Sequence, residues 1–325
     1  MSGPMRLGLL RLCDAAPLIL AEKQGVFGRH GVEVSLSVEP SWANIADKLG
    51  YGLLDGAVML PPLAIACAAG LRGIVTPLMI PLGLSANGNA IAIATPLAAY
   101  FENSGQAPRA TAQAVAGTAA KLGRKLRLAL VHAYSTHHLL LRDWLATNGL
   151  DPDRVVEVSV LPPADMVGAL AAGVIDGFCA GAPWADVAAH AEVGFVALRS
   201  AAIWHDHPEK CLALRGAFVE NGPDRIVALT RALREAGRAC ADATLRPTLA
   251  ALLAAPEYLD LPAPVIASSL DPAAGGPLFG DAVGYPSPDH GAWFAGQMLR
   301  WGAAGALEDV AASLYRPDIY LAAGG

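Results

Sequence analysis

Short apolar segments alternate with helix-like segments along the first part of the chain. Arg6–Arg11 and Ala57–Leu60 are apolar runs of the length of a buried strand, and Gly31–Val38 alternates apolar and polar positions. Helical spacing follows Asp14, which is placed to cap a helix, and it follows Ser41 in the same way. Strands that alternate with helices are typical of βαβ units, so this pattern predicts an α/β fold with parallel strands.

The same pattern recurs later in the chain, which indicates an internal repeat. Two Gly-x-x-Asp-Gly segments, each followed by a proline, lie 121 positions apart, at Gly52–Pro62 and Gly173–Pro183. The agreement continues through the flanking apolar positions, so that residues 6–94 pair with residues 127–215. We therefore predict two structural copies of one α/β unit.

Beyond the second copy the apolar spacing is mostly helical. It predicts helices over Pro223–Asp242, Arg246–Ala255 and Asp289–Trp301, and the tail that begins at Leu314 is predicted to be extended. This part of the chain contains no glycine-rich phosphate-binding loop.

Two extended runs, Asn89–Ala94 and Lys210–Arg215, form the ends of the two copies. They predict two lobes that are joined by two hinge crossings, with a cleft between the lobes. Lobe I comprises residues 1–90 together with 210–325, and lobe II comprises residues 91–209. In open α/β sheets ligands bind beyond the carboxyl ends of the strands, so we expect the functional site in this cleft.

Composition narrows the class of protein. Hydrophobic residues make up 54% of the chain and the mean hydropathy is +0.41, but much of this is alanine and no apolar run is long enough for a transmembrane helix. A net charge of −6 argues against direct nucleic-acid binding. The five cysteines are scattered and lack CxxC spacing, so they predict neither disulfides nor a zinc site and fit a reducing compartment.

The repeat also selects candidate site residues, because equivalent positions at strand ends and helix starts would line opposite walls of the cleft. The pairs are Trp42 and Pro163, Ala16 and His137, and Asn89 and Lys210. Helix N-termini carry partial positive charge and free N–H groups, which favour a small anion. A lysine, a histidine, an amide and a flat indole wall would complete such a site.

Several of these candidates can also be interpreted as residues without a role in binding. Lys210 is as easily a solvated surface lysine, Trp42 a core residue, and either His137 or His138 can be the one that faces the cleft. The sequence His205-Asp206-His207 lacks a further ligand at metal-binding spacing, so no metal is predicted. Asp55 and Asp176 are interpreted as turn residues that precede glycine. No catalytic nucleophile and no cofactor are indicated.

Several segments resemble the nitrate- and bicarbonate-binding proteins of cyanobacterial-type ABC transporters, and the resemblance covers nearly the whole chain. The segments are Ser41–Leu49, Asn87–Ile91, Ser135–Leu145, Pro162–Val167, Asp176–Trp184, Ile203–Lys210 and Tyr315–Tyr320. The resemblance implies a two-lobed, type II periplasmic-binding-protein fold that holds one oxyanion between its lobes. It also implies ligand contacts from Trp42, Asn89, His137, Pro163 and Lys210.

The residue at position 210 bears on the identity of the anion. Nitrate binders resemble this chain in having lysine there, whereas bicarbonate binders carry an acidic residue. Nitrate has no proton to donate and favours a cation, while bicarbonate has an O–H group that a carboxylate can accept. Asn89 departs from the family pattern, in which we expect the longer glutamine.

A second departure is the absence of a signal peptide and of a lipobox cysteine near Met1. In this respect the chain resembles the cytoplasmic NasS-type nitrate/nitrite sensors. These hold a NasT-type RNA-binding antiterminator inactive and release it when the anion binds. The expectation is therefore a cytoplasmic, non-enzymatic sensor. The alternatives are a solute-binding component of a nitrate ABC transporter, whose leader is missing from this sequence, and a cytoplasmic enzyme with a binding-protein fold.

Overall fold

The computed structural model describes residues 3–217 and 222–324. Eleven strands in this part of the chain form two sheets. They are β1 (Met5–Leu9), β2 (Val34–Val38), β3 (Gly56–Met59), β4 (Leu78–Asn87), β5 (Asn89–Ala94), β6 (Leu126–Leu130), β7 (Val156–Val160), β8 (Gly177–Gly181), β9 (Gly194–Arg199), β10 (Pro208–Arg215) and β11 (Pro277–Leu278).

Helices cover both sheets. Up to the end of the second repeat copy they are α1 (Ala16–Lys23), α2 (Val26–Arg29), α3 (Trp42–Gly50), α4 (Pro61–Ala68), α5 (Pro108–Leu122), which lies between the copies, α6 (Thr136–Thr147), α7 (Pro152–Val155), α8 (Pro163–Ala171) and α9 (Trp184–His190). The C-terminal helices are α10 (Pro223–Ala241), α11 (Arg246–Leu253), α12 (Ala263–Ser269), α13 (Asp281–Gly284), α14 (Pro288–Arg300), α15 (Leu307–Leu314) and α16 (Pro317–Ala322). None of the described helices combines the length and the apolarity that crossing a membrane requires.

The two sheets have the same design. The first has the strand order β11-β4-β10-β3-β1-β2 and the second the order β7-β6-β8-β5-β9. In each sheet the first three strands of one copy are parallel, as βαβ units require. The sheets are nevertheless mixed. In the first sheet β10 runs antiparallel to β3 and β4, and the short edge strand β11 runs antiparallel to β4; in the second sheet β5 runs antiparallel to β8 and β9.

Each of the strands β5 and β10 lies in the sheet of the other copy. β5 is the last strand of the first copy but pairs with β8 and β9 of the second, whereas β10 is the last strand of the second copy but pairs with β3 and β4 of the first. The two predicted crossings therefore lie inside the sheets and are not free linkers. Each sheet with the helices that cover it forms one lobe. The division of the whole chain at residues 90 and 210 stays a prediction.

The 121-residue offset holds in the structure. β1 and β6 begin and end at positions that differ by this offset, and so do α3 and α8. Apolar residues of both copies pack into three buried clusters, which lie around β1 and β10, between the lobes, and around β6. The repeat is therefore a repeat of structure as well as of sequence.

The Gly-x-x-Asp-Gly segment has the same function in both copies. Gly52 and Gly173 adopt positive φ angles of 72° and 68°, which glycine tolerates best, directly after α3 and α8. A Cβ at Gly56 would lie 2.8 Å from the carbonyl oxygen of Ala213, and a Cβ at Gly177 would lie 2.5 Å from that of Ala92. The second glycine of each segment therefore lets the crossing strand approach.

The aspartate of each segment does more than occupy a turn. Asp55 accepts hydrogen bonds from the backbone N–H and the guanidinium of Arg6, at 2.8–3.1 Å. Asp176 accepts the same set from Arg127, at 2.8–3.2 Å, and is also bound by Arg124. The interpretation as simple turn residues was incomplete, because each carboxylate ties the end of its segment to the first strand of its copy.

The three helices predicted in the C-terminal part agree with α10, α11 and α14 to within about two residues. Helices α12, α13 and α15 were not predicted, and the predicted extended tail is wrong. Tyr315 forms one β-bridge with Ile80, and a helix then begins at Pro317. Proline fits the first turn of a helix because the N–H that it lacks would be unpaired there. Pro317 therefore starts a helix where the sequence suggested an extended segment.

Candidate functional site

Four of the five predicted site residues meet between the two lobes. Trp42 begins α3, His137 lies in the first turn of α6, Asn89 begins β5, and Lys210 lies in β10. All four side chains are buried, each exposing at most 1% of its surface. Asn89, His137 and Lys210 lie against the carboxyl group of Glu209, a residue that the sequence did not single out, and Trp42 lies beside Lys210.

Local capping fixes the two residues that come from helices. The hydroxyl of Ser41 accepts a hydrogen bond from the backbone N–H of Asn44 at 3.1 Å, and the hydroxyl of Ser135 accepts one from that of His138 at 3.1 Å. Trp42 and His137 are therefore held in the first turns of their helices. Both helices direct their N-terminal ends, with their partial positive charge, at the cleft.

Glu209 accepts hydrogen bonds from both lobes. Asn89 Nδ2 donates to Glu209 Oε2 at 2.6 Å, and Lys210 Nζ donates to Glu209 Oε1 at 2.5 Å. His137 Nδ1 lies 3.8 Å from the same carboxyl group. Burial raises the pKa of Glu209 to about 7, against the opposing effect of Lys210.

Asp14 is a second buried carboxyl group at this site. It lies in a short 3₁₀ helix, Cys13–Ala15, where it makes no capping hydrogen bond, and it accepts a hydrogen bond from the Ser85 hydroxyl. Its Oδ2 atom lies 3.3 Å from Lys210 Nζ but has no aligned donor, so this contact is ionic in character. The prediction that Asp14 caps a helix was wrong, because its side chain turns toward Lys210.

Lys210 is the cation of the cluster. Burial by itself lowers the pKa of this lysine, but Asp14 and Glu209 outweigh it, so that the pKa of Lys210 is raised. Its ammonium also lies 5.7 Å from the centre of the Trp42 ring, within the range of a cation–π contact. The alternative that Lys210 is a solvated surface residue is thereby excluded.

Two histidines near Glu209 are neutral. Burial lowers the pKa of His137 well below its ordinary value, and the positive charge of Lys210 lowers it further. Burial also lowers the pKa of His207 to about 3, and its ring contacts the Ser200 hydroxyl at 2.8 Å. Each imidazole therefore offers one N–H donor and one acceptor nitrogen.

Several buried polar atoms of the cluster have no hydrogen-bond partner among the described residues. They are Asp14 Oδ2, Trp42 Nε1, Asn89 Oδ1, Thr136 Oγ1, His137 Nδ1 and His137 Nε2. Buried polar groups in proteins are normally paired, so an unpaired set at one place marks a binding site. The indole N–H, an imidazole N–H and the hydroxyl are all able to donate, which suits a small ligand rich in acceptor oxygens.

Pro163, the fifth predicted residue, lies in the wall of a groove beside the cluster. It begins α8 and is buried, as the repeat predicted from its equivalence to Trp42. The groove has a volume of about 400 Å³ and is lined by Leu10, Arg11, Val38, Glu39 and Pro40 from one side and by Pro162, Pro163, Ala164 and Asp165 from the other. This groove is therefore the opening between the lobes.

The structure also decides between the neighbouring histidines. His137 is fully buried beside Glu209, whereas the ring of His138 is partly exposed and contacts the carbonyl oxygen of Ala133 at 2.8 Å. The described residues contain no group of three or more His, Cys, Asp or Glu side chains that is arranged to hold a metal ion.

Sequence reasoning missed Glu209, Asp14 and Thr136. Glu209 precedes Lys210 in a strand, and alternation in a regular strand would place the two side chains on opposite faces. Asp14 directly follows the carboxyl end of β1, so the rule that selected the other residues applied to it as well. Thr136 carried no signal beyond its place at a helix start.

A model of the NMT1-like family matches residues 2–254 of this chain. The nitrate import ATP-binding protein NrtC of Synechocystis sp. strain PCC 6803 is 35% identical over 311 residues, which are 91% of this chain and 46% of NrtC. The bicarbonate transport ATP-binding protein CmpC of Synechococcus elongatus strain PCC 7942 is 36% identical over 305 residues, which are 92% of this chain and 45% of CmpC. The chain thus spans about half the length of these relatives.

Among solved structures, the periplasmic nitrate-binding protein NrtA from Synechocystis PCC 6803 matches with a TM-score of 0.91 and 27% sequence identity. The match covers 99% of this chain and 88% of that protein. Together with the two sheets described above, it confirms the predicted two-lobed periplasmic-binding-protein fold.

Proposed function

The chain belongs to the NMT1-like family, and we propose that it binds nitrate or nitrite between its lobes and works as a cytoplasmic sensor. In this proposal, binding of the anion releases a NasT-type antiterminator, which is the RNA-binding partner. The protein is then a ligand-gated binding protein and not an enzyme, and it touches neither RNA nor the membrane itself.

The observation that carries the anion part of the proposal is the convergence of Trp42, Asn89, His137 and Lys210 on one buried point. The first lobe supplies Trp42 and Lys210, and the second supplies Asn89 and His137. A buried ammonium with neutral N–H donors favours an anion that needs donors and offers none. Nitrate and nitrite are such anions.

Similarity to named proteins supports the same ligand class. NrtA, which covers 99% of this chain, is named as a nitrate-binding protein. NrtC is named for nitrate import, and CmpC is named for bicarbonate transport. Lys210 favours nitrate over bicarbonate within this class, because bicarbonate profits from an acceptor for its O–H group. Glu209 complicates the comparison, since it places an acceptor next to that lysine.

A site shared by two lobes offers a way to signal. An anion that binds residues of both lobes stabilises the closed arrangement, and closure changes the contacts at the outer surface. One such contact joins α6 and α14, where Arg300 Nη1 lies 2.6 Å from Asp143 Oδ1. A partner that prefers the open arrangement must weaken nitrate binding by the same factor by which nitrate weakens the binding of the partner.

The free cysteines are compatible with a cytoplasmic location. All five thiols are unpaired, and four of them, Cys13, Cys67, Cys179 and Cys211, are buried. Unpaired thiols are usual in a reducing compartment, whereas exported proteins commonly pair them.

A solute-binding component of a nitrate ABC transporter is the second candidate. The observation that favours it is the near-complete coverage of this chain by NrtA, whose name places it in the periplasm. The two candidates share the anion site and differ in the partner.

Isothermal titration of the protein with nitrate, nitrite and bicarbonate, after dialysis to remove bound anion, tests the anion site. We expect heat from nitrate or nitrite and none from bicarbonate. Bicarbonate binding alone would show that the argument from Lys210 is wrong. Silence from all three anions would refute the proposed ligand class and direct the search to a larger organic ligand.

The partner is tested by mixing the protein with a purified NasT-type antiterminator on a size-exclusion column, with and without nitrate. Co-elution that nitrate abolishes supports the sensor. Failure to co-elute in either condition, together with nitrate binding in the titration, favours the transporter component instead.

A further inference from the structure

Glu209 reaches the site because strand β10 is irregular there. The pairing of β10 with β4 shifts in register between Pro208 and Lys210 and again between Lys210 and Cys211. A β-bulge of this kind inserts an extra residue and re-aims side chains. Glu209 and Lys210 therefore both point into the cluster, although they are neighbours in a strand, and both are buried.

The carboxyl group of Glu209 occupies the donors that an external anion would use. It accepts hydrogen bonds from Asn89 Nδ2 and Lys210 Nζ, at 2.6 and 2.5 Å. A carboxylate presents its oxygens in one plane, as nitrate and nitrite do, so it satisfies the same donors in the same way. An incoming anion must therefore share or replace these hydrogen bonds.

Charge makes the sharing unfavourable. Titratable and charged groups face Glu209 from every element packed against it: Asp14, His137, Cys179, His207, Lys210 and Cys211. Both histidines are neutral, and burial also raises the pKa of the thiols of Cys179 and Cys211, so that both stay protonated. Lys210 is thus the one cation in this described cluster, facing two carboxyl groups. With Glu209 ionised, a nitrate would bring a further negative charge to one ammonium in a site closed to water.

We propose that Glu209 is an internal competitor for the anion, and that its carboxyl group takes up a proton when the external anion binds. This inference rests on the proposed function and deepens it. The neutral acid keeps an O–H donor that can bind the anion, while the ammonium of Lys210 becomes available to it. Glu209 then sets both the pH dependence and the selectivity of the site.

The direction of the pH dependence follows from linkage. Burial raises the pKa of Glu209 to about 7 without the anion, and a bound anion raises it further because a second negative charge disfavours ionisation. The affinity for nitrate is therefore constant below a pH of about 7 and falls above it, by at most about tenfold per pH unit. Bicarbonate is expected to bind too weakly to detect, but the same rise in pH is less unfavourable for it, because its O–H can donate to the ionised carboxylate.

The test is isothermal titration of the whole chain with nitrate at a pH of about 8, in two buffers of different ionisation enthalpy. For the wild type we expect uptake of about one proton per nitrate, which is read from the difference between the two heats. Glu209→Gln keeps the shape and is neutral at every pH, so it is expected to take up no proton and to bind nitrate about tenfold more tightly at this pH. Glu235→Gln, which removes a surface carboxylate on α10, is the matched control and is expected to behave as the wild type.

Each outcome is informative. Nitrate binding by the wild type without proton uptake, and with a constant affinity between pH values of about 6 and 9, would overturn the inference while leaving the nitrate site intact. Weaker nitrate binding by a folded Glu209→Gln variant would also overturn it. The buffer comparison on the wild type needs no variant, so a variant that fails to fold does not block the test. No binding of any of the three anions at any pH would refute the proposed function itself.

Discussion

The two copies of the repeat have the same scaffold but differ where they face the cleft. Arg6 and Asp55 of the first copy correspond to Arg127 and Asp176 of the second, and both pairs make the same hydrogen bonds. The positions that face the cleft differ in every pair: Ala16 and His137, Trp42 and Pro163, Asn89 and Lys210. Residues that are identical in the two copies thus stabilise the fold, and the residues that differ at the cleft are those that we propose bind the ligand.

Lys210→Asn is expected to have the largest effect on nitrate binding. It removes the difference between the copies at this position, because the first copy has Asn89 there. The change removes the one cation of the described cluster and leaves Asp14 and Glu209 without it. We expect nitrate affinity to fall by about 2–5 kcal/mol, as is usual when one member of a buried charge pair is removed. Isothermal titration measures the loss.

Lys121→Asn is the matched control, because it removes an exposed lysine of α5 and is expected to leave the affinity unchanged. A Lys210→Asn variant that melts as the wild type does and still binds nitrate with full affinity would contradict the assigned site. Lys210→Glu tests the same point more severely, and we expect it to abolish nitrate binding.

His137→Ala is a smaller step, since it makes the second copy identical to Ala16 of the first. It removes one neutral N–H donor whose ring nitrogens have no other partner among the described residues. We expect a loss of about 1.5–3 kcal/mol in nitrate affinity, the range for one hydrogen bond to a charged group. His138→Ala, which removes the neighbouring ring bound to a backbone carbonyl, is expected to change the affinity little. Equal losses from both variants would mean that His137 acts through the fold.

Asp176→Ala and Asp55→Ala test residues that are the same in both copies, and we expect these variants to change the stability of the protein. We expect a loss of about 1–2 kcal/mol for Asp176 and less for Asp55, because the arginine partners of both are partly exposed. Asp176 is the larger because it is more buried and has a second arginine, Arg124. Urea unfolding measures both losses.

The two losses have a defined pH dependence. Burial raises the pKa of each carboxyl group, but the hydrogen bonds from its arginines outweigh burial and leave the pKa below its ordinary value. A lowered pKa contributes stability that is present above the unfolded-state pKa of about 4 and is lost as the pH falls. The difference between wild type and variant is therefore expected to shrink in acid. A difference that persists there would mean that packing, and not charge, is responsible.

The sequence allowed the scaffold and part of the site to be predicted because both depend on periodicity. The 121-residue offset located Trp42, Asn89, His137 and Lys210 at strand ends and helix starts, and the structure brings these four together. Alternation in a strand failed at Glu209, because a bulge depends on pairing with another strand and leaves no local pattern.

Local rules also failed where a side chain had two possible partners. Asp14 stands where a helix cap is expected, but its carboxyl group turns to Lys210, which lies far away in the sequence. The tail that begins at Leu314 was predicted to be extended, although Pro317 starts a helix there. Each of these errors concerns a choice that tertiary contacts make.

The exchange of β5 and β10 between the two sheets also bears on how such a chain can arise. The last strand of each copy, β5 or β10, pairs in the sheet of the other copy, so two identical single copies would complete each other's sheets by exchanging this strand. Such an ancestral homodimer would have two-fold symmetry, and a site on its axis would have to use the same residue from both subunits. Gene duplication and fusion remove that constraint. A lysine and an asparagine can then donate to one carboxyl group from equivalent positions of the two copies, as Lys210 and Asn89 do at Glu209, an arrangement that no symmetric dimer can build.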